Sequence, residues 1–333
     1  MAENVLYYPY IKVPNSEWFT RVLLYWDSVG SIVPYEYIRK PARLGPYMHS
    51  LVREGLVKQI IPSSHIYKIP NFTDAFLEYA ENYKRQPHPT RNALIGNYKP
   101  LRVHIEKLAD IGSRLCKMQL AKEAGYPWYD IDYQLANRFM AYLAGVLGNL
   151  PEINSNPITD QQMRIRDYEA SIRRTMVLDE LLPAPIAGIP ADQIVEFKLK
   201  NQKYLLKFRN EIESFILQVA PVPQQSLRTE MVNRFILSKK VDIAGIAEEM
   251  KAQGWGEISL GRFLSYAVAG TTLANAIRSG SLLATIAAAF GIAASGLATL
   301  KETKTSDLLK NSSCAYAVLF NKFSARNSRN SHT

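Results

Sequence analysis

"VLYYPYIKVPNSEWFTRVLLYWDSVGSIVP", residues 5–34, decides the fold class of the N-terminal half of the chain. Its first nine residues are rich in aromatic and β-branched side chains and predict a strand, which Pro9 should end early or place at a sheet edge. Asn15 or Ser16 then caps a helix with apolar residues at helical spacing. "SIVP" predicts a second short strand. The stretch therefore reads strand, helix, strand.

The same alternation continues through the first hundred residues. "LGPYMHSLVREGL" and "NFTDAFLEYAENY" predict helices on either side of the strand "VKQIIP", which indicates a small parallel or mixed sheet with covering helices. In "LRVHIEKL", residues 101–108, Val103 and Ile105 alternate with His104 and Glu106, which predicts a strand that rejoins this sheet. "TMVLDELLP", residues 175–183, predicts one more strand.

Helical periodicity dominates the second half. Residues 190–220 carry apolar side chains at intervals of three and four, and residues 222–254 predict a second long helix. The predicted fold class is α+β. We expect an α/β-like sheet domain at 1–183, a helical domain at 184–325 and a disordered tail at 326–333.

An uncharged stretch interrupts the helical half. "GSLLATIAAAFGIAASGLATL", residues 280–300, would span about 30 Å as a helix, which matches the hydrocarbon core of a bilayer. With "FLSYAVAGTTLANAI" upstream, it predicts an apolar helical hairpin over 263–300. One face of the second helix carries large apolar side chains, and another carries small residues. The candidate contact residues are Leu283, Ile286, Phe290, Gly291, Ser295, Leu297 and Leu300. Membrane insertion and burial in a protein core both remain open.

Composition limits the compartment and the partners. The chain has 333 residues, 47% of them hydrophobic, and a net charge of +10 without a dense polybasic run. Basic clusters such as "RIRDYEASIRR" are expected on solvated helix faces. Cys116 and Cys314 are far apart in sequence, and the N-terminal residues lack signal-peptide features, so we expect a cytoplasmic protein with free thiols. Membrane association through the hairpin is left open.

The sequence contains none of the strong catalytic or cofactor motifs. It lacks a P-loop, a dinucleotide-binding glycine motif, a zinc-binding histidine pair, a paired-cysteine motif and a nucleophile elbow. The five histidines have no metal-like spacing and are expected in loops or on the surface. We therefore expect neither a cofactor nor a metal, and no module signature supports nucleic acid as a partner.

One weaker pattern is compatible with a magnesium-dependent nuclease. Asp179 follows an apolar run, and Glu196 and Lys198 form a later E-x-K pair. Two carboxylates beside a lysine could hold Mg²⁺ if the pair lay on a strand. The surrounding periodicity is helical, however, and on a helix these two side chains point to different sides.

Three strings together resemble a known family: residues 7–34, "ELLPAPIAGIPADQIVEFKLKNQKYLLKFRNEI" and "SSCAYAVLFNKF". The chain is similar to an uncharacterised bacterial family of domains of unknown function. The resemblance covers most of the chain and implies bacterial provenance and architecture, with no assigned active site. Families of this kind occur in mobile or defence-related neighbourhoods.

The sequence thus favours a non-enzymatic effector or accessory protein that acts through the hairpin on a membrane or on a protein partner. A nucleic-acid-processing enzyme using Asp179, Glu196 and Lys198 is the first alternative. A purely structural interaction protein is the second.

Overall fold

The computed structural model describes residues 4–85, 100–161, 169–182, 187–252, 309 and 312–330. These residues form a mixed α+β protein, as predicted. The chain divides into two compact units. Unit 1 comprises residues 1–15 and 26–161, and unit 2 comprises residues 16–25 and 162–333. The division therefore follows Gln161, not residue 183, and one short N-terminal segment belongs to the second unit.

Unit 1 contains two sheets and the helices that cover them. Its strands are β1 (Asn4–Tyr7), β2 (Ser28–Ile32), β3 (Val57–Ile60), β4 (Leu101–His104), β5 (Ala121–Glu123), β6 (Trp128–Ile131) and β7 (Ser155–Ile158). Its α-helices are α2 (Tyr35–Arg39), α3 (Pro46–Arg53), α4 (Phe72–Arg85), α5 (Ile105–Leu108), α6 (Ile111–Lys117) and α7 (Tyr133–Gly148). Short 3-10 turns cover Pro41–Leu44, Pro62–Ser64 and Ile66–Lys68.

The first sheet is wholly parallel, with strand order β3-β2-β1-β7. The chain builds it outward from β1 to β3 and later adds β7 on the other side of β1. The strand order therefore reverses between β1 and β7. In open parallel sheets, such a switch point leaves a crevice beyond the carboxyl ends of the strands, where ligands commonly bind.

The second sheet is antiparallel, with strand order β4-β6-β5. The prediction that residues 101–108 rejoin the first sheet is therefore wrong. Its strand part ends at His104, and a short helix begins at Ile105. α7 packs against β1, β4 and β7, and thus joins the two sheets of this unit.

Capping explains where two well-predicted helices begin. Asp132 Oδ1 accepts hydrogen bonds from the backbone N–H groups of Gln134 and Leu135 at 3.0 and 3.1 Å, which fixes the start of α7. In the same way, Ser16 Oγ accepts from the Phe19 N–H at 3.2 Å at the start of α1 (Glu17–Tyr25).

Unit 2 is helical in the part that the structure describes. It contains α1, α8 (Glu169–Leu181), α9 (Ala191–Val219), α10 (Gln225–Ala252) and α11 (Ala315–Asn330). α9 packs against α1, α8, α10 and α11. The core of unit 2 is rich in fully buried aromatic rings, including Tyr25, Phe208 and Tyr316. α11 extends to Asn330, so the tail predicted to be disordered is helical from 326 to 330.

The hairpin predicted over 263–300 lies outside the described residues. Its candidate residues Leu283, Ile286, Phe290, Gly291, Ser295, Leu297 and Leu300 all fall in that segment. Among the helices that are described, none combines the length and apolar content needed to cross a membrane.

Candidate functional site

Residues 104–107 of unit 1, "HIEK", bind the loops that follow the strands of the parallel sheet. Glu106 Oε2 accepts hydrogen bonds from the Tyr35 N–H at 2.9 Å and from Ser63 Oγ at 3.3 Å. Tyr35 lies just beyond β2, and Ser63 lies just beyond β3. This one carboxylate therefore fixes the segment against the carboxyl ends of two strands.

Lys107 contacts the loop that follows β1, a further strand of the same parallel sheet. Its side chain is buried, at 2% exposure, and its Nζ lies 3.5 Å from the Pro9 carbonyl oxygen. No carboxylate forms an ion pair with it among the described residues. Removing an ammonium from water without a counter-charge favours its neutral form. Burial accordingly lowers the pKa of Lys107 from 10.5 to about 7.

His104 is the second buried polar side chain of the segment, at 3% exposure. Its Nδ1 accepts a hydrogen bond from the Glu106 N–H at 3.2 Å. A neutral ring in this arrangement carries its proton on Nε2. That atom lies 3.8 Å from Glu36 Oε1 and has no hydrogen-bond partner within the described part of the chain.

The environment keeps this imidazole neutral. Burial lowers the pKa of His104, against the opposing effects of the Glu106 and Glu36 carboxylates. The Trp128 ring meets the imidazole edge-on, with centroids 4.9 Å apart. The expectation that the histidines lie in loops or on the surface is therefore wrong for His104, because the strand delivers it into the interior.

A cavity of about 370 Å³ opens beside these two side chains. It begins at the loop beyond β1, next to the switch point of the parallel sheet. Most of its lining is apolar or aromatic: Pro9, Tyr10, Ile11, Leu101, Val103, Trp128 and Met140. The remaining lining residues are Lys12, Arg102, His104 and Lys107, and the described lining contains no carboxylate.

The basic side chains differ in depth. Lys12 is exposed, and the Arg102 side chain is 60% exposed and forms an ion pair with Asp130 at 3.0 Å. Lys107 and His104 are buried. The cavity thus has a cationic rim and two polar groups in its interior. Such an arrangement is suited to an anionic ligand with an apolar body and a second polar atom that reaches inward.

Sequence reasoning missed this site, although one signal was present. In the predicted alternation of residues 101–108, Lys107 shares the parity of Val103 and Ile105, the apolar face. A lysine on an apolar face is a sign of burial. Nothing in the sequence shows that the loop after β1 packs beside Lys107 in the folded chain.

The structure does not bring the proposed nuclease residues into a catalytic arrangement. The strand predicted over 175–183 is wrong, because these residues up to Leu181 belong to α8. Asp179 lies on that helix, in an ion pair with Arg21. Glu196 and Lys198 lie within the continuous helix α9, where two residues separated by two positions point to different sides. Among the described residues, no cluster of ligands could hold a metal ion.

Unit 2 carries a buried polar cluster of its own, formed by Arg174, Glu213 and Tyr25. The Arg174 guanidinium donates two hydrogen bonds to the Glu213 carboxylate, each 2.6 Å long. The Tyr25 hydroxyl donates to Glu213 Oε1 at 3.2 Å. Arg174 was predicted on a solvated helix face, but its side chain is only 14% exposed. With all three groups engaged by one another, the cluster ties α1, α8 and α9 together.

Both cysteines are free thiols. Cys314 is buried, and burial with a smaller effect of Asp242 raises its pKa to about 12. A thiol in this environment is a poor nucleophile at neutral pH.

Comparisons of the chain with protein-family models, with curated proteins and with solved structures give no match. The function is therefore inferred from the geometry of the site.

Proposed function

We propose that unit 1 binds a small, mainly apolar, anionic molecule in the cavity beside Lys107. The observation that supports this proposal is the cavity's lining, which has three potentially cationic side chains, a neutral histidine and no carboxylate among its described residues. The cavity lies beside the loop that follows β1, and ligands of parallel sheets commonly bind beyond the carboxyl ends of the strands.

The two depths of the basic residues suggest how the ligand lies. Lys12 and Arg102 at the rim would hold the anionic group, where water still solvates the charges. The apolar body would replace water against Val103, Trp128 and Met140. A further oxygen of the ligand could then accept hydrogen bonds from Lys107 and from His104 Nε2, which has no such partner in the described structure.

The experiment uses 3-phenylpropionate, an aromatic carboxylate that fits the cavity volume, and isothermal titration calorimetry on the full chain. We expect saturable binding with one site, weakened about 3- to 10-fold by Arg102→Gln, since one rim cation contributes about 1 kcal/mol. Arg53→Gln is the matched control because Arg53 is 69% exposed and does not line the cavity. Absence of saturable binding at millimolar ligand would overturn the proposal.

A second candidate function rests on the sequence of residues 263–300. We propose that this apolar segment, which carries Arg278 as its one charged residue and is bounded by Arg262 and Lys301, contacts a membrane or a protein partner, as an effector or accessory protein would require. Its support is the 21-residue stretch without a charge, together with the basic residues on both flanks.

A further inference from the structure

We infer that the ligand of this cavity is an anionic carbonyl compound of the 2-oxo acid class, which Lys107 binds covalently as an imine. The inference rests on the proposed function, because it names the ligand class of the same cavity. It adds a bond between the Lys107 nitrogen and a carbonyl carbon.

The placement of Lys107 supports this chemistry. Its amine is buried, lines the cavity and forms no ion pair with any residue that the structure describes. The contact to the Pro9 carbonyl, at 3.5 Å, is at the long limit of a hydrogen bond. Only a neutral amine attacks a carbonyl, and a lysine in an apolar pocket supplies one near neutral pH. The pKa of about 7 that burial gives Lys107 agrees with this requirement.

His104 provides the second group that imine formation needs. Its Nε2–H is buried, without a hydrogen-bond partner among the described residues, and its ring lines the same cavity. A donor in this position can polarise the carbonyl oxygen and hold it as negative charge develops there. The Glu106 N–H fixes the ring by donating to Nδ1.

The chemical step balances without an oxidant or reductant. The lone pair of the neutral Lys107 amine adds to the ligand's carbonyl carbon, the π electrons of the carbon–oxygen bond move to oxygen, and one of the two amine protons is transferred to that oxygen to give a neutral carbinolamine. The nitrogen lone pair then expels the hydroxyl group, which leaves with the second amine proton as one water molecule. A carbon–nitrogen double bond replaces the carbon–oxygen double bond.

The 2-oxo acid class matches the positions of the basic groups, which lie both at the rim of the cavity and in its interior. A carboxylate at the rim satisfies Lys12 and Arg102, and the adjacent carbonyl then points inward toward the buried amine. The apolar lining accommodates the rest of the molecule. An aldehyde without an anionic group would bring no negative charge to Lys12 and Arg102 at the rim.

The test traps the imine on the intact chain. Phenylpyruvate at millimolar concentration is added with sodium cyanoborohydride, which reduces an imine to a stable secondary amine, and peptide mass mapping locates the adduct. We expect at least tenfold more adduct on Lys107 than on Lys58, an exposed lysine on β3. An excess of 3-phenylpropionate, which lacks the carbonyl, should slow the trapping.

Lys107→Met removes the amine and should abolish the adduct, while the low labelling of exposed lysines such as Lys58 stays the same. Two measurements on the unaltered chain, binding of 3-phenylpropionate and trapping of phenylpyruvate, separate the two proposals. Binding of 3-phenylpropionate to the unaltered chain without an adduct on Lys107, or with adducts spread evenly over exposed lysines, would overturn the imine and leave the proposed function standing. Failure of both binding and trapping would overturn both.

Discussion

Lys107 links the stability of the protein to pH through a single buried amine. In the unfolded chain its pKa is 10.5, and in the folded chain burial lowers it to about 7. Between these values the unfolded state holds a proton that the folded state lacks. Stability contributed by this residue therefore rises with pH across that window and is lowest below pH 7.

Lys107→Met should remove this dependence. We expect the variant to be more stable than the unaltered chain at pH 6, and the difference to shrink by up to about 1.4 kcal/mol per pH unit between pH 7 and pH 10. Urea unfolding at a series of pH values measures it. The Met variant also loses the contact to Pro9, which lowers the difference equally at every pH. A difference that stays constant from pH 6 to pH 9 would contradict the burial of an uncompensated amine.

At the scale of elements, the end of α7 lies unusually close to β7. A Cβ on Gly148 would come within 2.2 Å of the Ser155 carbonyl oxygen, which is backbone and cannot move aside as a side chain would. Gly148→Ala should therefore force the helix and the strand apart. We expect a loss of about 1–3 kcal/mol in the free energy of unfolding, measured by urea denaturation.

Gly112→Ala is the matched control for this prediction. There the new Cβ would meet only the Tyr129 ring, at 2.9 Å, and that ring is half-buried and can turn. Alanine also gains about 1 kcal/mol over glycine within a helix. The loss at position 112 should be clearly smaller than at 148. Equal losses at both positions would show that the close approach of α7 to β7 is not the cause.

The contact between α8 and α9 depends on the Arg174–Glu213 ion pair. Their side chains are 14% and 9% exposed, so removing either partner leaves a charge with little access to water. We expect Arg174→Met to cost about 3–5 kcal/mol. The double variant Arg174→Met, Glu213→Leu should be more stable than Arg174→Met alone, since no unpaired carboxylate remains. Thermal unfolding of the single and double variants measures the coupling, and strictly additive losses would argue against it.

Elements with strong local signals were predictable from the sequence. α1, α4 and α7 combine capping residues with apolar residues at helical spacing. Both signals depend only on residues that are close together in the sequence. α8 was mistaken for a strand because a short apolar run does not distinguish the two. Its buried residues Val177, Leu178 and Leu181 follow helical spacing, and Met176 is 44% exposed. The second sheet and the cavity depend on contacts between distant segments, which no local pattern reveals.

At the scale of the whole molecule, the segment 263–300 predicts association with lipid. If it inserts, the full chain should float with liposomes, and removal of 263–300 should abolish flotation. Anionic lipid should strengthen binding, because Arg262, Lys301 and Lys304 each gain about 1 kcal/mol near a negative surface. Liposome flotation on a density gradient measures the bound fraction.

Gly291→Leu distinguishes insertion from burial in a protein core. In a bilayer the larger side chain still favours lipid, so flotation should persist. In a packed core it should cost about 1–3 kcal/mol of stability. A variant that unfolds more easily, in a protein that never floats, would exclude the membrane hypothesis.

The assignment of α1 to unit 2 has a consequence for synthesis on the ribosome. α1 is translated between two strands of unit 1, but it packs against α9, whose last residue is Val219. At 5–20 residues per second, α1 waits roughly 10–40 s for the rest of that helix. During this interval α1, whose Leu23 and Leu24 are buried in the finished protein, lacks the complete helix against which it packs. The nascent chain is therefore a candidate client for chaperones that bind short apolar segments, and a fragment that stops at residue 161 should aggregate.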